Sequence, residues 1–185
     1  DVVVFYNGDT DAIMGVDYKR ADYAVRVTSW TPGVNVGGAG LESNWRAHSI
    51  VLGASDKAHL FYANQTAAVI FHRSLSSGDI LGTEHTVDTT VLLGWGNAVY
   101  YDAAGVERIT ASYNDADQTQ QSVIIENDGT PNTPVDASDN TVKAQITRPS
   151  ACLAVENGTT KKVHLLYADN VTADLWYDSN TNDAG

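Results

Sequence analysis

Residues 58–74 read AHLFYANQTAAVIFHRS, an apolar run that ends at Tyr62, a short polar loop, and a second apolar run. The same order occurs in residues 2–18 (VVVFYNGDTDAIMGVDY), 109–127 (ITASYNDADQTQQSVIIEN) and 163–179 (VHLLYADNVTADLWYDS). The four tyrosines, at positions 6, 62, 113 and 167, recur at intervals of roughly 50–56 residues. A repeat of this period is typical of a propeller or a solenoid, in which each repeat forms one structural unit.

A second shared feature precedes three of the tyrosines. Apolar runs at 50–53, 97–101 and 152–155 each lead into a turn that contains Gly, Asn or Asp, and the tyrosine strand follows. Two strands joined in this way form an antiparallel hairpin. A fourth strand is predicted within Thr83–Leu93 and within Asp139–Ile146, whereas segments 34–40 and 127–140 are predicted loops. A four-stranded antiparallel unit of this length is a propeller blade.

We therefore predict an all-β fold, a single β-propeller of four-stranded antiparallel blades. The chain opens in strand 2 of one blade and stops after strand 3 of another, so about three and a half blades are expected. The predicted blade parts are approximately 1–44, 45–94, 95–146 and 147–185. Because repeat units cannot bury their faces alone, we expect a segment of a six- or seven-bladed propeller, completed by remaining blades or neighbouring subunits. An ordinary antiparallel β domain with a coincidental repeat is the alternative.

Composition and charge narrow the class of partner. Eleven Lys and Arg against 23 Asp and Glu give a formal net charge of −12, which argues against nucleic acid and anionic membrane surfaces. No apolar run approaches the ~20 residues of a membrane helix. The single cysteine, Cys152, cannot form an internal disulfide and is expected to be buried. We predict an extracellular, cell-surface or virion-surface location.

The repeat tyrosines are expected to be structural. Each ends strand 2 at the same place in its unit, so each is predicted to pack against a neighbouring blade, with its hydroxyl near the polar loop. His59 and His164 both stand three residues before a repeat tyrosine, and they are predicted to be structural as well.

The polar loops indicate where a binding site is expected. In a propeller, the loops between strands 2 and 3 share a face with the connections from strand 4 to the next strand 1, and loops on a rigid scaffold favour binding. This face is predicted to bind glycans or partner proteins. Its ligand-binding candidates are Trp45, Trp95, Asn97, Asn64, Asn114, Asp115, Asp169 and Asn170.

Two segments after strand 3 resemble the Asp box, Ser-x-Asp-x-Gly-x-x-aromatic, of the sialidase-like, BNR-repeat β-propeller superfamily. Residues 74–78 (SLSSG) carry Ser76 in place of the Asp, and residues 179–185 (SNTNDAG) keep Ser, Asp and Gly with two residues inserted. The third repeat retains only NDGT at 127–130, and the first has no comparable motif. The chain thus resembles a propeller of this superfamily with degenerate Asp boxes.

This resemblance implies candidate catalytic residues. In sialidase-like enzymes, arginines at blade starts clamp the substrate carboxylate, and in related propeller lyases His, Tyr and Arg near the channel act on the substrate. Arg46, His48 and Arg148 stand at or near blade starts and are the candidates here. In the alternative interpretation, Trp45 packs between blades, and Arg46 and His48 are solvated or structurally paired.

Cofactor motifs are sparse in the sequence. The acidic pairs Asp9–Asp11 and Asp115–Asp117 offer oxygen ligands of the kind that calcium prefers. Turn formation is the more common role of such loop residues. We therefore predict no metal or other cofactor, with calcium at Asp115 and Asp117 as the weaker alternative.

Two functions from different classes follow from these observations. The first is a glycan- or protein-recognition or structural module on an extracellular or virion surface. The second is a carbohydrate-active enzyme, either a sialidase-like glycoside hydrolase or a propeller polysaccharide lyase, with its site at the central channel. The first is favoured because the enzyme motifs are eroded while the blade pattern is preserved; whether the chain is an enzyme stays open.

Overall fold

A computed structural model of the chain describes residues 2–10, 13–21, 34–37, 45–64, 67–89, 97–103, 105–114, 120–127, 129–136, 151–157, 161–168 and 174–181. No helix in these ranges is long and apolar enough to span a membrane. The strands of the described residues are β1 (Val2–Thr10), β2 (Ile13–Ala21), β3 (Val34–Gly37), β4 (Trp45–Leu52), β5 (Ala58–Asn64), β6 (Val69–Leu75), β7 (His85–Asp88), β8 (Asn97–Ala103), β9 (Val106–Asn114), β10 (Gln120–Glu126), β11 (Val135–Asp136), β12 (Ala151–Asn157), β13 (Lys161–Ala168) and β14 (Leu175–Thr181).

The strands form four antiparallel sheets that follow one another along the chain. Sheet A is β1-β2-β3, sheet B is β4-β5-β6-β7, sheet C is β8-β9-β10-β11, and sheet D is β12-β13-β14. Strands that are neighbours in sequence are also neighbours in each sheet, as in a meander. This arrangement confirms the prediction of an all-β chain built from repeated antiparallel units.

The sheets pack face to face through two apolar cores. The core between sheets A and B contains Val36, Ala58, Leu60, Tyr62 and Leu75. The core between sheets B and C joins the opposite face of β5 to β9 and β10. Because successive side chains of a strand point to opposite faces, β5 contributes to both cores and is buried along its whole length. The second core contains Phe61, Ala63, Ile70, Val87, Ala98, Ile109, Ala111, Tyr113, Val123 and Ile125.

Two of the repeat tyrosines pack as the sequence predicts. The ring of Tyr62 lies against Gly37 at the end of β3 in sheet A, and its hydroxyl donates to Glu84. The hydroxyl of Tyr113 donates to Oδ2 of Asp88, at the end of β7 in sheet B, over 2.8 Å. Each of these two tyrosines therefore meets the last strand of the preceding sheet.

Two predicted loops prove to contain strands. Val34–Gly37 pairs with β2 across a bulge, and Val36 is fully buried. Gly37 is needed because the ring of Tyr62 occupies the space that a β-carbon would take. Val135–Asp136 pairs with Gln121 and Ser122 inside the predicted loop 127–140. The predicted strand in Thr83–Leu93 is confirmed as β7, and the one predicted in Asp139–Ile146 lies outside the described residues.

Replacing Gly37 by Val is expected to destabilise the protein. A β-carbon at this position would overlap the ring of Tyr62, which is fully buried and cannot move aside. Overpacking of this kind costs about 1–3 kcal/mol. Urea denaturation checks this, with Gly78→Val as the control, because a β-carbon at the exposed Gly78 meets only the Ser76 hydroxyl at 3.8 Å. An equal loss in both variants would contradict the packing described.

Candidate functional site

The described candidates of the predicted binding face lie at strand ends. Asn64 and Asn114 end β5 and β9 and are buried. Asn97 begins β8 and pairs with Ser112. Trp45 pairs with Asn64 across β4 and β5, so the structure brings these two candidates together.

Two further candidates, Arg46 and His48, lie on β4. Arg46 pairs with Ala63, and His48 falls where the register of β4 against β5 shifts. Asn64 acts as a turn former, because its Oδ1 accepts the N–H of Ala67 over 3.0 Å. The candidates outside the described residues are Trp95, Asp115, Asp117, Arg148, Asp169 and Asn170.

A row of three polar side chains crosses sheet C on the side that faces sheet D. Tyr101 pairs with Arg108, and Arg108 pairs with Glu126, on three adjacent strands. Directly opposed residues of antiparallel strands share a face, with Cβ atoms about 4.5–5.5 Å apart. Nε of Arg108 lies 2.8 Å from Oε1 of Glu126. The row thus places a phenol, a guanidinium and a carboxylate side by side.

The alternation of β9 shows which way this row points. Ile109, Ala111 and Tyr113 belong to the core with sheet B, so Arg108 and Thr110 point away from sheet B. On that side, β12 of sheet D contacts β8 and β9. The row therefore lies between two blades.

Two buried hydroxyls in and beside the row have no hydrogen-bond partner among the described residues. They are the hydroxyl of Tyr101 and Oγ1 of Thr110, whose side chains are almost fully buried. A buried polar group without a partner costs about 1–3 kcal/mol, so such groups mark places where water or a ligand hydroxyl is expected. Glu126, by contrast, is 43% exposed. The row therefore leads from a buried phenol to an exposed carboxylate.

Sequence reasoning missed this row, although a signal for Arg108 is present. A basic residue stands five positions before three of the repeat tyrosines, as Lys57, Arg108 and Lys162. The predicted site concentrated on the loops, whereas Arg108 and Glu126 lie inside β9 and β10. Their meeting depends on the pairing register of the two strands, which the sequence does not display.

A second polar cluster is buried between sheets B and C. Nδ1 of His59 lies 3.0 Å from Nε2 of His72, and Nε2 of His59 lies 3.1 Å from Oε1 of Glu107. The same oxygen of Glu107 accepts the N–H of Ala54 over 2.8 Å, and Nζ of Lys57 lies 3.4 Å from Oε2. Glu107 belongs to sheet C, His59 and His72 belong to sheet B, and Ala54 and Lys57 lie in the turn that joins β4 to β5. The cluster is a charged clamp between two blades, which confirms the structural role predicted for His59.

The surroundings set the charge states of the clamp. Burial, and then the neighbouring His59 and His85, lower the pKa of His72 from 6.5 to about 3. Burial alone would raise the pKa of Glu107, but the hydrogen bonds from Ala54 and His59 and the charge of Lys57 lower it below its usual value. His72 is therefore neutral and Glu107 ionised at neutral pH. Ionised Glu107 then accepts the Nε2–H of His59, and His59 and His72 share a second hydrogen bond between their rings.

Stability is expected to fall as the pH drops below 6.5. His72 binds a proton near pH 6.5 when unfolded but stays neutral in the fold down to about pH 3. The unfolded chain therefore binds more protons in this window, which removes about 1.4 kcal/mol per pH unit. Ionised Glu107 adds to the loss below about pH 4.5, because the unfolded carboxylate takes up protons there.

The measurement is urea denaturation at several pH values, with His72→Gln as the matched variant. Gln does not titrate and keeps an amide donor for His59, so its stability should change less between pH 6.5 and 5. Equal slopes in the two proteins would contradict the assignment of this loss to His72.

Comparisons with known proteins show the fold. No family model matches the chain, and no curated protein matches it. Among solved structures, AofleA from Arthrobotrys oligospora, in a mutant with three arginines replaced by alanine, is 12% identical with a TM-score of 0.68. The match covers 97% of this chain and 50% of that chain.

Aleuria aurantia lectin is a second similar structure. Its complex with α-methyl-L-fucoside is 11% identical over 99% of this chain and 53% of that chain, with a TM-score of 0.59. Its complex with Fucα1-6GlcNAc is 12% identical, with coverages of 99% and 54% and a TM-score of 0.56. The chain thus spans about half the length of these structures. Together with the sheet topology, these similarities establish the β-propeller fold.

Among the described residues, no group of three or more His, Cys, Asp or Glu residues is placed to hold a metal ion. Asp115 and Asp117 are not among them, so calcium at that loop stays a prediction.

Proposed function

We propose that the protein recognises glycans through the row Tyr101–Arg108–Glu126 between sheets C and D. The observation that carries the proposal is the juxtaposition of a guanidinium, a carboxylate and a buried phenol hydroxyl without a partner among the described residues. Arginine supplies donors in a planar fork, and a carboxylate supplies acceptors. A sugar presents neighbouring hydroxyls that donate and accept, so it matches such a pair.

Charge favours a neutral sugar as the ligand. Glu126 lies against Arg108 at 2.8 Å and offsets its positive charge. The chain as a whole carries a net charge of −12, which repels anionic glycans at long range. A neutral glycan does not depend on the positive charge that Glu126 offsets, and the acidic chain does not repel it. Sialic acids and uronic acids meet both disadvantages.

The similar structures support this proposal at the level of the fold. The Aleuria aurantia lectin structures hold α-methyl-L-fucoside and Fucα1-6GlcNAc, and the AofleA structure carries substitutions of three arginines that are evenly spaced along that chain. We further propose that this protein acts outside the cell or on a virion surface, where glycans are displayed. Membership of the sialidase-like Asp-box superfamily remains a finer proposal, which depends on the degenerate motifs.

A glycan array tests the proposal. The labelled protein is applied to neutral glycans, α-L-fucosides included, and to sialylated and uronic-acid glycans at matched density. We expect binding to neutral glycans. Binding confined to anionic glycans, or to none, would contradict the proposal. Cleavage of a bound glycan would instead support the enzymatic alternative.

A further inference from the structure

The clamp between sheets B and C has a counterpart position between sheets C and D, because the repeat tyrosines set the two gaps in the same register. Glu107 stands six residues before Tyr113, and Lys161 stands six residues before Tyr167. This place in the repeat is called the clamp position below. A carboxylate occupies it in sheet C and an ammonium occupies it in sheet D.

Strand alternation points both side chains toward the preceding sheet. Glu107 reaches His59 of sheet B. In β13, Val163 and Leu165 are buried, and β12 of the same sheet contacts β8 and β9 of sheet C. Lys161 lies on the side of Val163 and Leu165, because every second residue of a strand points the same way. It therefore faces sheet C.

The opposite walls of the two gaps also correspond. The side-chain partners of Glu107 are Lys57 and His59, and the residues at the same repeat positions in sheet C are Arg108 and Thr110. Both of these point away from sheet B, as the alternation of β9 shows. The ammonium of sheet D therefore faces the wall that carries the guanidinium and the threonine hydroxyl.

The two gaps differ in hydrogen-bond chemistry at the clamp position. A carboxylate accepts hydrogen bonds, whereas an ammonium only donates them. Glu107 accepts from His59 and from the N–H of Ala54. Thr110 takes the repeat position of His59, and its buried Oγ1 has no partner among the described residues. Lys161 cannot supply the acceptor that a hydroxyl donor at Thr110 needs.

We propose that the residue at the clamp position decides whether a gap between two blades is closed or binds a sugar. Glu107 closes the gap between sheets B and C with its own carboxylate. Lys161 provides no acceptor, so the hydroxyls of Thr110 and Tyr101 are left to a sugar between sheets C and D. This inference rests on the proposed glycan function of the row, and it makes Lys161 a determinant of where the glycan binds.

Isothermal titration of the full chain with the strongest neutral glycan from the array tests this inference. Lys161→Glu should weaken binding by about tenfold or more, because the introduced carboxylate accepts from Thr110 and pairs with Arg108 in place of the sugar. Lys161→Met keeps a long side chain without an acceptor oxygen and should bind within about threefold of the wild type.

Lys162→Glu is the matched control for charge. It makes the same change of charge one residue further along β13, where alternation points the side chain away from sheet C and the register pairs it with Glu156. Its glycan affinity should equal that of the wild type. An equal loss in Lys162→Glu, or in Lys161→Met, would overturn the inference.

Urea denaturation without glycan gives a second readout. Lys161→Glu should unfold at a higher urea concentration than Lys161→Met, and the difference should shrink when Thr110→Val removes the hydroxyl from both. A midpoint for Lys161→Glu at or below that of Lys161→Met would overturn the role of the clamp position, whether or not a glycan binds.

The titration separates this inference from the function on which it rests. A wild-type chain that binds no glycan would contradict the proposed function. A wild-type chain and a Lys161→Glu variant that bind the glycan equally well would leave that function standing and overturn the inference alone.

Discussion

Replacing Glu107 by Ala is expected to lower the free energy of unfolding by about 3–5 kcal/mol, the usual cost of removing one partner from a buried ion pair. The substitution removes the acceptor of two hydrogen bonds, from His59 and from the N–H of Ala54, and leaves Lys57 without this carboxylate. His59 is fully buried, so water cannot readily replace the lost acceptor. Sheet C would then lose the contacts of Glu107 with His59, Ala54 and Lys57, which connect it to sheet B.

Chemical denaturation monitored by circular dichroism measures this effect, and two variants serve as controls. Glu107→Gln keeps an oxygen acceptor and loses only the charge, so it should cost less than Glu107→Ala. Glu126→Gln removes a carboxylate that is 43% exposed and should cost about 0–1 kcal/mol. A cost below about 1 kcal/mol for Glu107→Ala would contradict the role of the clamp.

Replacing Arg108 by Ala is expected to weaken binding of the strongest neutral glycan from the array by about thirtyfold or more, which corresponds to the 2 kcal/mol of an interface hot spot. Nε of Arg108 lies 2.8 Å from Oε1 of Glu126, and both groups are proposed to bind the sugar. Arg108→Lys should also weaken binding, because an ammonium lacks the planar fork.

Isothermal titration gives the affinities, and Lys162→Ala is the matched control. Lys162 stands at the repeat position that corresponds to Arg108, five residues before a repeat tyrosine, but on β13 of sheet D. Its removal should leave glycan affinity unchanged. Unchanged affinity in a folded Arg108→Ala variant would show that the sugar binds elsewhere.

The sequence predicted the fold well because the repeat is a local pattern. The apolar runs and the turn residues recur at blade intervals, and so do the tyrosines at positions such as 62 and 113. Each blade pairs strands that are close in the chain. The strand Val34–Gly37 was missed because the glycine-rich sequence of residues 34–40 is typical of loops. Gly37 is required there by the ring of Tyr62 in the next sheet, a contact between distant residues.

The candidate site was harder to predict because contacts between residues that are distant in sequence form it. The sequence placed binding in the loops, and two of those candidates, Asn64 and Asn114, are buried at strand ends. Arg108 meets Glu126 through strand register, and His59 meets Glu107 across two sheets. Both contacts depend on three-dimensional packing, so composition and spacing alone do not reveal them.

Tyr101, Arg108 and Glu126 are proposed to bind a neutral sugar between sheets C and D. The most direct test is a crystal structure of the protein with the neutral glycan selected on the array. We expect sugar hydroxyls within hydrogen-bonding distance of Arg108 and Glu126. A sugar bound only at another place, or no bound sugar at saturating concentration, would contradict it.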